Sequence, residues 1–301
     1  MTHLSGHGLV PVSARSPIGL NLLCLDGGGI RGLSSLYILK QLMESIDMEK
    51  PPLPCDYFDM IGGTSTGGLI AIMLGRLRMS VDECIDTYRA MAPRIFTKVN
   101  HRLNLRGKVQ GRFDHVAVED GVKDLLRKRL LSENELLFYS RTEPCKTFVC
   151  STSKQTGNTV QAARATSAAT SFFDPIEIGN EEFVDGATPA NNPITEVWSE
   201  AYDLFSDSGD SSWDLEENIS CLVSIGTGVP NPRPFGDDPL RIGAKLVKIA
   251  TDTEKKAEDF AKHHPRLCKE GHYFRFNVRK GLENIGLEEE AKYMEIISST
   301  R

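Results

Sequence analysis

Twice within the first seventy residues a short apolar run feeds a glycine-rich turn and then a helix-forming stretch. The first is "LLCLDGGGIRG" (22–32) and the second "YFDMIGGTSTGG" (57–68). An apolar run as short and unbroken as Leu20–Leu25 suits a strand buried on both faces. After Gly32, the residues Leu33, Leu36, Tyr37, Leu39, Met43 and Ile46 fall near helical spacing. Strand, turn and helix, repeated, imply a layered α/β sandwich around a mainly parallel sheet. In such sheets chemistry collects at the carboxyl ends of the strands, where both glycine turns lie.

The rest of the chain continues the alternation. The second strand ends near Ile61, and its helix runs through Ile70, Met73, Leu74 and Leu77. Ser80-x-x-Glu83 is a capping box opening a further helix, which Pro93 is expected to stop. Another helix is expected within "HVAVEDGVKDLLRKRLL" (115–131). "KTFVCSTS" (146–153) and "ISCLVSIGTG" (219–228) read as buried strands, and "HYFRFNV" (272–278) as an alternating one. "IEIGNEEFVDG" (176–186) predicts a hairpin turning at Gly179-Asn180. Helices are expected over "ITEVWSEAYDLF" (194–205) and from Ile242 to Phe260.

Bulk properties exclude more than they assign. A net charge of −6 over 301 residues gives no global pull toward nucleic acid, so any contact with phosphate or membrane needs a local patch. One stretch qualifies: residues 94–112 hold six Lys/Arg and no acid, interleaved with Ile95, Phe96, Leu103 and Leu105. It reads either as a solvated loop or lid, or as a docking surface for anionic lipid. No 18-residue apolar run is present, so no transmembrane helix is expected. Residues 1–18 lack a signal peptide's apolar centre and read as a loose lead-in. The seven cysteines are scattered without zinc-site spacing, as for buried reduced thiols in a reducing compartment.

Gly63-Thr64-Ser65-Thr66-Gly67 is a Gly-x-Ser-x-Gly pentapeptide between strand and helix. A nucleophilic serine there sits on a sharp, strained turn. Gly63 and Gly67, two residues either side, remove the Cβ atoms that would collide as the chain folds back.

The first turn has two readings. Gly27-x-Gly29-x-x-Gly32 matches the dinucleotide-binding fingerprint. Yet Asp26 would set a negative charge beside the pyrophosphate, and the segment 20 residues on leads into the serine turn, not to a ribose-binding acid. The other reading is an oxyanion hole, with the amides of Gly27, Gly28 and Gly29 converging on a developing negative charge. Arg31 would then add a positive charge for a substrate phosphate, its alternative being a surface arginine at a helix start.

A serine needs a base. His263, His264 and His272 follow the candidate acids, but none sits at a strand-to-turn junction, and all three read as structural or solvated. Asp185 in "FVDGATPANNP" is presented by an apolar strand end, and Gly186 lets the chain turn away from it. Asp-Gly is also a common turn pair, and spacing alone does not choose.

Taken in order, Asp26-Gly-Gly-Gly-Ile-Arg-Gly32, Gly63-Thr-Ser-Thr-Gly67 and Asp185-Gly-Ala187 resemble the patatin-like phospholipase family, which includes animal calcium-independent phospholipases. "ARATSAATSFFDP" (163–175) and "VSIGTG" (223–228) extend the likeness, which covers roughly residues 20 to 280. The resemblance implies a patatin-type three-layer α/β/α sandwich over residues 19–301, forming one acyl hydrolase domain. It implies a Ser65–Asp185 dyad with no catalytic histidine, metal or cofactor. Gly27, Gly28 and Gly29 would supply the oxyanion amides, and Arg31 would lie near the lipid phosphate. The implied partners are a phospholipid or other lipid ester and a membrane surface met peripherally from the cytoplasm, without nucleic acid. The flavour of "LCLDGGGIRGLSSLYIL" is closest to fungal patatin-like domains, which often head larger proteins, so a longer parent or an oligomer is a further expectation. The rival from another class is a non-catalytic lipid-binding or signalling module, whose mark would be an eroded motif. None of the three motifs is eroded.

Overall fold

A computed structural model of the chain describes residues 19–97, 113–137, 143–151, 159–168, 176–178, 181–183, 185–186, 190–206, 212–229, 252–282, 285, 289 and 292–300. Most of the basic stretch, residues 98–112, the lead-in 1–18 and the start of the helix expected from Ile242 lie outside them.

Five parallel strands make the central sheet. They are β1 (Leu20–Leu25), β2 (Met60–Thr64), β3 (Lys146–Cys150), β6 (Ile219–Ile225) and β7 (Tyr273–Phe276), ordered β3-β2-β1-β6-β7. A separate antiparallel pair, β4 (Ile176–Ile178) and β5 (Glu181–Phe183), sets Ile178 opposite Glu181; the turn expected at Gly179-Asn180 lies outside the described residues. The alternation along β1 builds the three layers. Leu23 and Leu25 enter one core with Ile61 and with Leu33, Leu36, Leu39 and Met43 of α1 (Gly32–Ile46). Leu22 and Cys24 enter the other with Met60 and with Ile194, Val197 and Ala201 of α7 (Ile194–Phe205). Side chains of successive strand residues point to opposite faces, so an unbroken apolar strand needs helices on both. The chain folds as an α/β/α sandwich.

On the α1 face lie α3 (Thr66–Ala71), continued by a wider turn over Ile72–Arg76, then α4 (Val81–Ile95) and α5 (His115–Lys128). A short α2 (Pro54–Tyr57) precedes β2, and α6 (Thr159–Thr166) follows β3. The last helices are α8 (252–263), α9 (Pro265–Lys269) and α10 (Tyr293–Thr300). Ser80 and Glu83 form the expected capping box at the start of α4.

Three expectations need correction. β2 runs three residues beyond Ile61, to Thr64, so its end reaches the serine turn directly. Pro93 does not stop α4, which continues to Ile95. Proline removes the N–H that would bond to the Arg89 carbonyl one turn earlier, and the Tyr293 hydroxyl donates to that carbonyl instead, at 3.3 Å. Cys24, Cys55, Cys84 and Cys145 are buried free thiols as expected, whereas Cys268 is exposed. Among the described residues no helix is long and apolar enough to cross a membrane.

Candidate active site

The candidate residues gather at the carboxyl ends of the strands. Gly27 to Gly29 follow β1, Ser65 follows β2, and Asp185 pairs antiparallel with Ser151, the residue just after β3. Strand order reverses at β1, which has β2 on one side and β6 on the other. Crevices at such reversals are where open α/β sheets place their ligands.

Ser65 has φ 55° and ψ −124°, a backbone conformation that costs a residue with a side chain on the order of 1–3 kcal/mol. Its neighbours hold it there. A Cβ at Gly63 would strike the Gly67 carbonyl, and one at Gly67 would strike the Leu25 carbonyl and stand 2.6 Å from the Asp26 oxygen. The Ser65 N–H donates to Thr166 Oγ1 at 2.8 Å, while its carbonyl accepts from the Leu69 N–H at 3.0 Å. Thr166 in turn donates to the Cys150 carbonyl at the end of β3, at 2.9 Å.

Asp185 reaches the same strand end. Its N–H donates to the Ala168 carbonyl at 3.0 Å, and its side chain is buried. A Cβ at Gly186 would lie 2.8 Å from the carbonyl group of Cys150, so only glycine lets this loop press against β3. Cys150 is also the register partner of Thr64. The strand end of β3 thus touches both the serine turn and the segment carrying the acid.

The glycine turn is pinned on every side. Gly29 takes φ 54°, in the left-handed region that glycine occupies without strain. A side chain at Gly27 would stand 3.1 Å from Ser65 Cβ, which puts the turn directly against the serine. The Gly27 N–H donates to the Asn191 carbonyl at 2.9 Å, so this amide, one of the three expected in an oxyanion hole, is already engaged. Neither the Gly28 nor the Gly29 N–H meets an acceptor among the described residues. The Gly29 carbonyl accepts from the Tyr88 hydroxyl at 2.8 Å and from Thr66 Oγ1 at 3.0 Å.

Two buried charges flank the turn. Arg31 stands at the N-terminal end of α1, beside Gly32, which packs against Thr66. Only 5% of Arg31 is exposed, and its Nε and Nη1 have no hydrogen-bond partner among the described residues. It is therefore not the surface arginine of the alternative reading. Burial pushes its guanidinium down to about 10, still charged at neutral pH. Asp26 is the second. Arg275 of β7 grips both of its oxygens, at 3.0 and 2.6 Å, and also reaches Glu254 of α8 at 2.6 Å. Burial nevertheless outweighs the attraction of Arg275 and raises the Asp26 carboxyl to about 6.

The three histidines sit elsewhere. His272 Nδ1 contacts the Ile219 carbonyl at 2.5 Å, at the opposite end of β6 from the glycine turn. Seven strand residues separate the two ends by roughly 20 Å. His263 Nδ1 contacts the Asp259 carbonyl, and His264 packs against the rings of Trp198 and Phe260, both centred 4.4 Å away.

The sequence reading missed the residues that hold these groups: Thr166, Tyr88, Asn191, Thr227 and Arg275. Thr166, Asn191 and Thr227 lie within or beside quoted motifs, but nothing in their spacing indicates which carbonyl or amide they meet. Arg275 is 249 residues from Asp26 and leaves no local signal.

Comparison with known proteins gives the arrangement a family. The model of the patatin-like phospholipases matches residues 23–198. Calcium-independent phospholipase A2-gamma of Rattus norvegicus is 26% identical, over 86% of this chain and 36% of its own length. Phospholipase A I of Arabidopsis thaliana is 29% identical, over 86% of this chain and 24% of its own length. Patatin-like protein 3 of the same plant is 30% identical, over 69% of this chain and 59% of its own length. The chain thus spans less than two thirds of each of these relatives. The matched span opens inside β1 and closes inside α7, enclosing both glycine turns and the Asp185 bridge, and on that match the chain belongs to the patatin-like phospholipase family.

Proposed function

We propose that this chain is a lipid acyl hydrolase of the phospholipase A type, working through Ser65 and Asp185 at a membrane surface. The observation that carries the reading is the strained Ser65 turn set against Gly27, with the Gly28 and Gly29 amides unbonded among the described residues. Relatives named as phospholipases support the substrate class.

Asp185 takes the Ser65 proton as Oγ attacks the acyl carbon. The amides of Gly28 and Gly29 stabilise the oxyanion as it forms, a contribution of about 2.7–4 kcal/mol for one well-placed donor. The ester C–O bond then breaks, and the leaving alkoxide takes the proton from Asp185. Water attacks the acyl-enzyme and gives a proton to Asp185, which returns it to Ser65 as the fatty acid leaves. No step calls on a metal or another cofactor.

Product analysis of a mixed phospholipid extract by mass spectrometry tests this. The parent should release free fatty acid and lysophospholipid, and do so undiminished in EDTA. Ser65→Ala should release neither. Equal products from Ser65→Ala, or turnover lost in EDTA and restored by calcium, would sink the mechanism.

Arg31 offers a separate check. A buried guanidinium with two nitrogens unpaired among the described residues is held at a cost in stability that an anionic ligand can offset. Arg31→Met should therefore raise the thermal midpoint while increasing KM for phospholipid about tenfold. A neutral nitrophenyl ester, which has no phosphate to hold, should keep its KM within about threefold. An equal loss on both substrates would exclude a phosphate contact.

A further inference from the structure

The peptide between Gly27 and Gly28 is flanked by two residues without Cβ atoms, so local sterics do little to decide which way it faces. Its orientation matters to the proposed reaction, because in a trans peptide the carbonyl of Gly27 and the N–H of Gly28 point in opposite directions. Two side chains hold the carbonyl. Thr227 Oγ1 donates to the Gly27 oxygen at 2.8 Å, and Asn191 Nδ2 donates to it at 3.2 Å. Both donors are themselves anchored. Thr227 is 4% exposed and lies flat on Gly28, where an added Cβ would stand 2.7 Å from its Cγ2. Asn191 Nδ2 also reaches Thr253 Oγ1 of α8 at 3.0 Å, and the Asn191 carbonyl accepts the Gly27 N–H at 2.9 Å.

We infer that Thr227 and Asn191 are positioning residues that lock the Gly27–Gly28 peptide with the Gly28 amide turned toward the acyl carbonyl of the substrate. The inference rests on the ester-hydrolase reading above. Thr227 follows β6 and approaches Gly27 from that side of β1; the opposite side belongs to β2, which ends at Thr64, just before Ser65. With the carbonyl drawn toward Thr227, the Gly28 N–H faces the serine. Without these donors the peptide is free to turn over, bringing a carbonyl oxygen where the oxyanion has to form. Asn191 adds a coupling: it lies six residues beyond Asp185 on the same segment, so the arm carrying the base also clasps the oxyanion turn.

The test compares Thr227→Val, Thr227→Ser and Asn191→Asp with the parent on a nitrophenyl ester, with thermal midpoints measured alongside. Thr227→Val keeps the shape against Gly28 and deletes the donor. Its kcat should fall about tenfold to a hundredfold with KM within about threefold, and Thr227→Ser should restore kcat to within about threefold of the parent. Asn191→Asp, which removes the second donor without touching β6, should lower kcat in the same manner. Affinity for a trifluoromethyl ketone, which serine converts to a tetrahedral adduct, should fall by the same factor as kcat. A folded Thr227→Val or Asn191→Asp enzyme with kcat within twofold of the parent would overturn the inference and leave the hydrolase reading intact. A parent that cleaves no ester, with Ser65 unreactive toward a fluorophosphonate, would overturn the reading itself.

Discussion

Asp185→Asn is expected to lower ester turnover at least about a thousandfold, nearly as far as Ser65→Ala, or about 4 kcal/mol of transition-state stabilisation. The amide is close in size to the carboxylate but accepts no proton from the serine. The double variant should fall little further, because groups that act as one unit do not contribute additively. His263→Ala, His264→Ala and His272→Ala should each stay within about tenfold of the parent. The contacts of these rings support that expectation: His272 bonds at the amino end of β6, and His264 is packed against Trp198 and Phe260. Steady-state kinetics with circular dichroism to check folding decides the matter. A folded histidine variant as inactive as Ser65→Ala would replace the dyad with a triad and leave Asp185 to orient that histidine.

Arg275→Met is expected to cost about 3–5 kcal/mol of stability, because it leaves Asp26 buried without its ion-pair partner. In a chain of this size the thermal midpoint should drop by roughly 10 °C. The pH dependence carries the sign. The folded-state value of Asp26 lies above its ordinary 3.8, at about 6, so the folded protein binds this proton more tightly than the unfolded one. The contribution of Asp26 to stability is therefore largest below the ordinary value and declines as pH rises toward about 6. Arg275 is the chief influence holding that value down, and its removal should extend the decline above pH 6. Thermal melts of parent and variant from pH 5 to 8 should diverge as pH rises. Parallel curves would mean that Asp26 is not the group left exposed to the loss.

Much of the candidate site's local geometry was legible because its parts are close in sequence. A serine between glycines two residues away on either side is readable from five letters, and the reason is visible in space: a Cβ at either glycine would meet backbone, which cannot move aside. The strand β1 and the helices α1 and α7 were likewise readable, since burial on both faces of a strand and on one face of a helix leaves a periodic trace. Pro93 misled for a physical reason. It falls in the last turn of α4, where little helix remains to be disrupted, and the Arg89 carbonyl that it orphans accepts from Tyr293, 204 residues away in the chain.

What the sequence alone determined, then, is which residues are candidates for the proposed chemistry: the serine, the glycines that let it strain, and an acid with a glycine behind it. Only the tertiary structure decided how they are aimed. Gly27, expected to offer its amide to an oxyanion, spends it on Asn191, and the Gly27 carbonyl is held by Thr227 from across the sheet. Hydrogen bonds act over about 3 Å in space and are indifferent to separation along the chain. Thr227 and Arg275 stand 200 and 249 residues from their partners, so no local pattern records them.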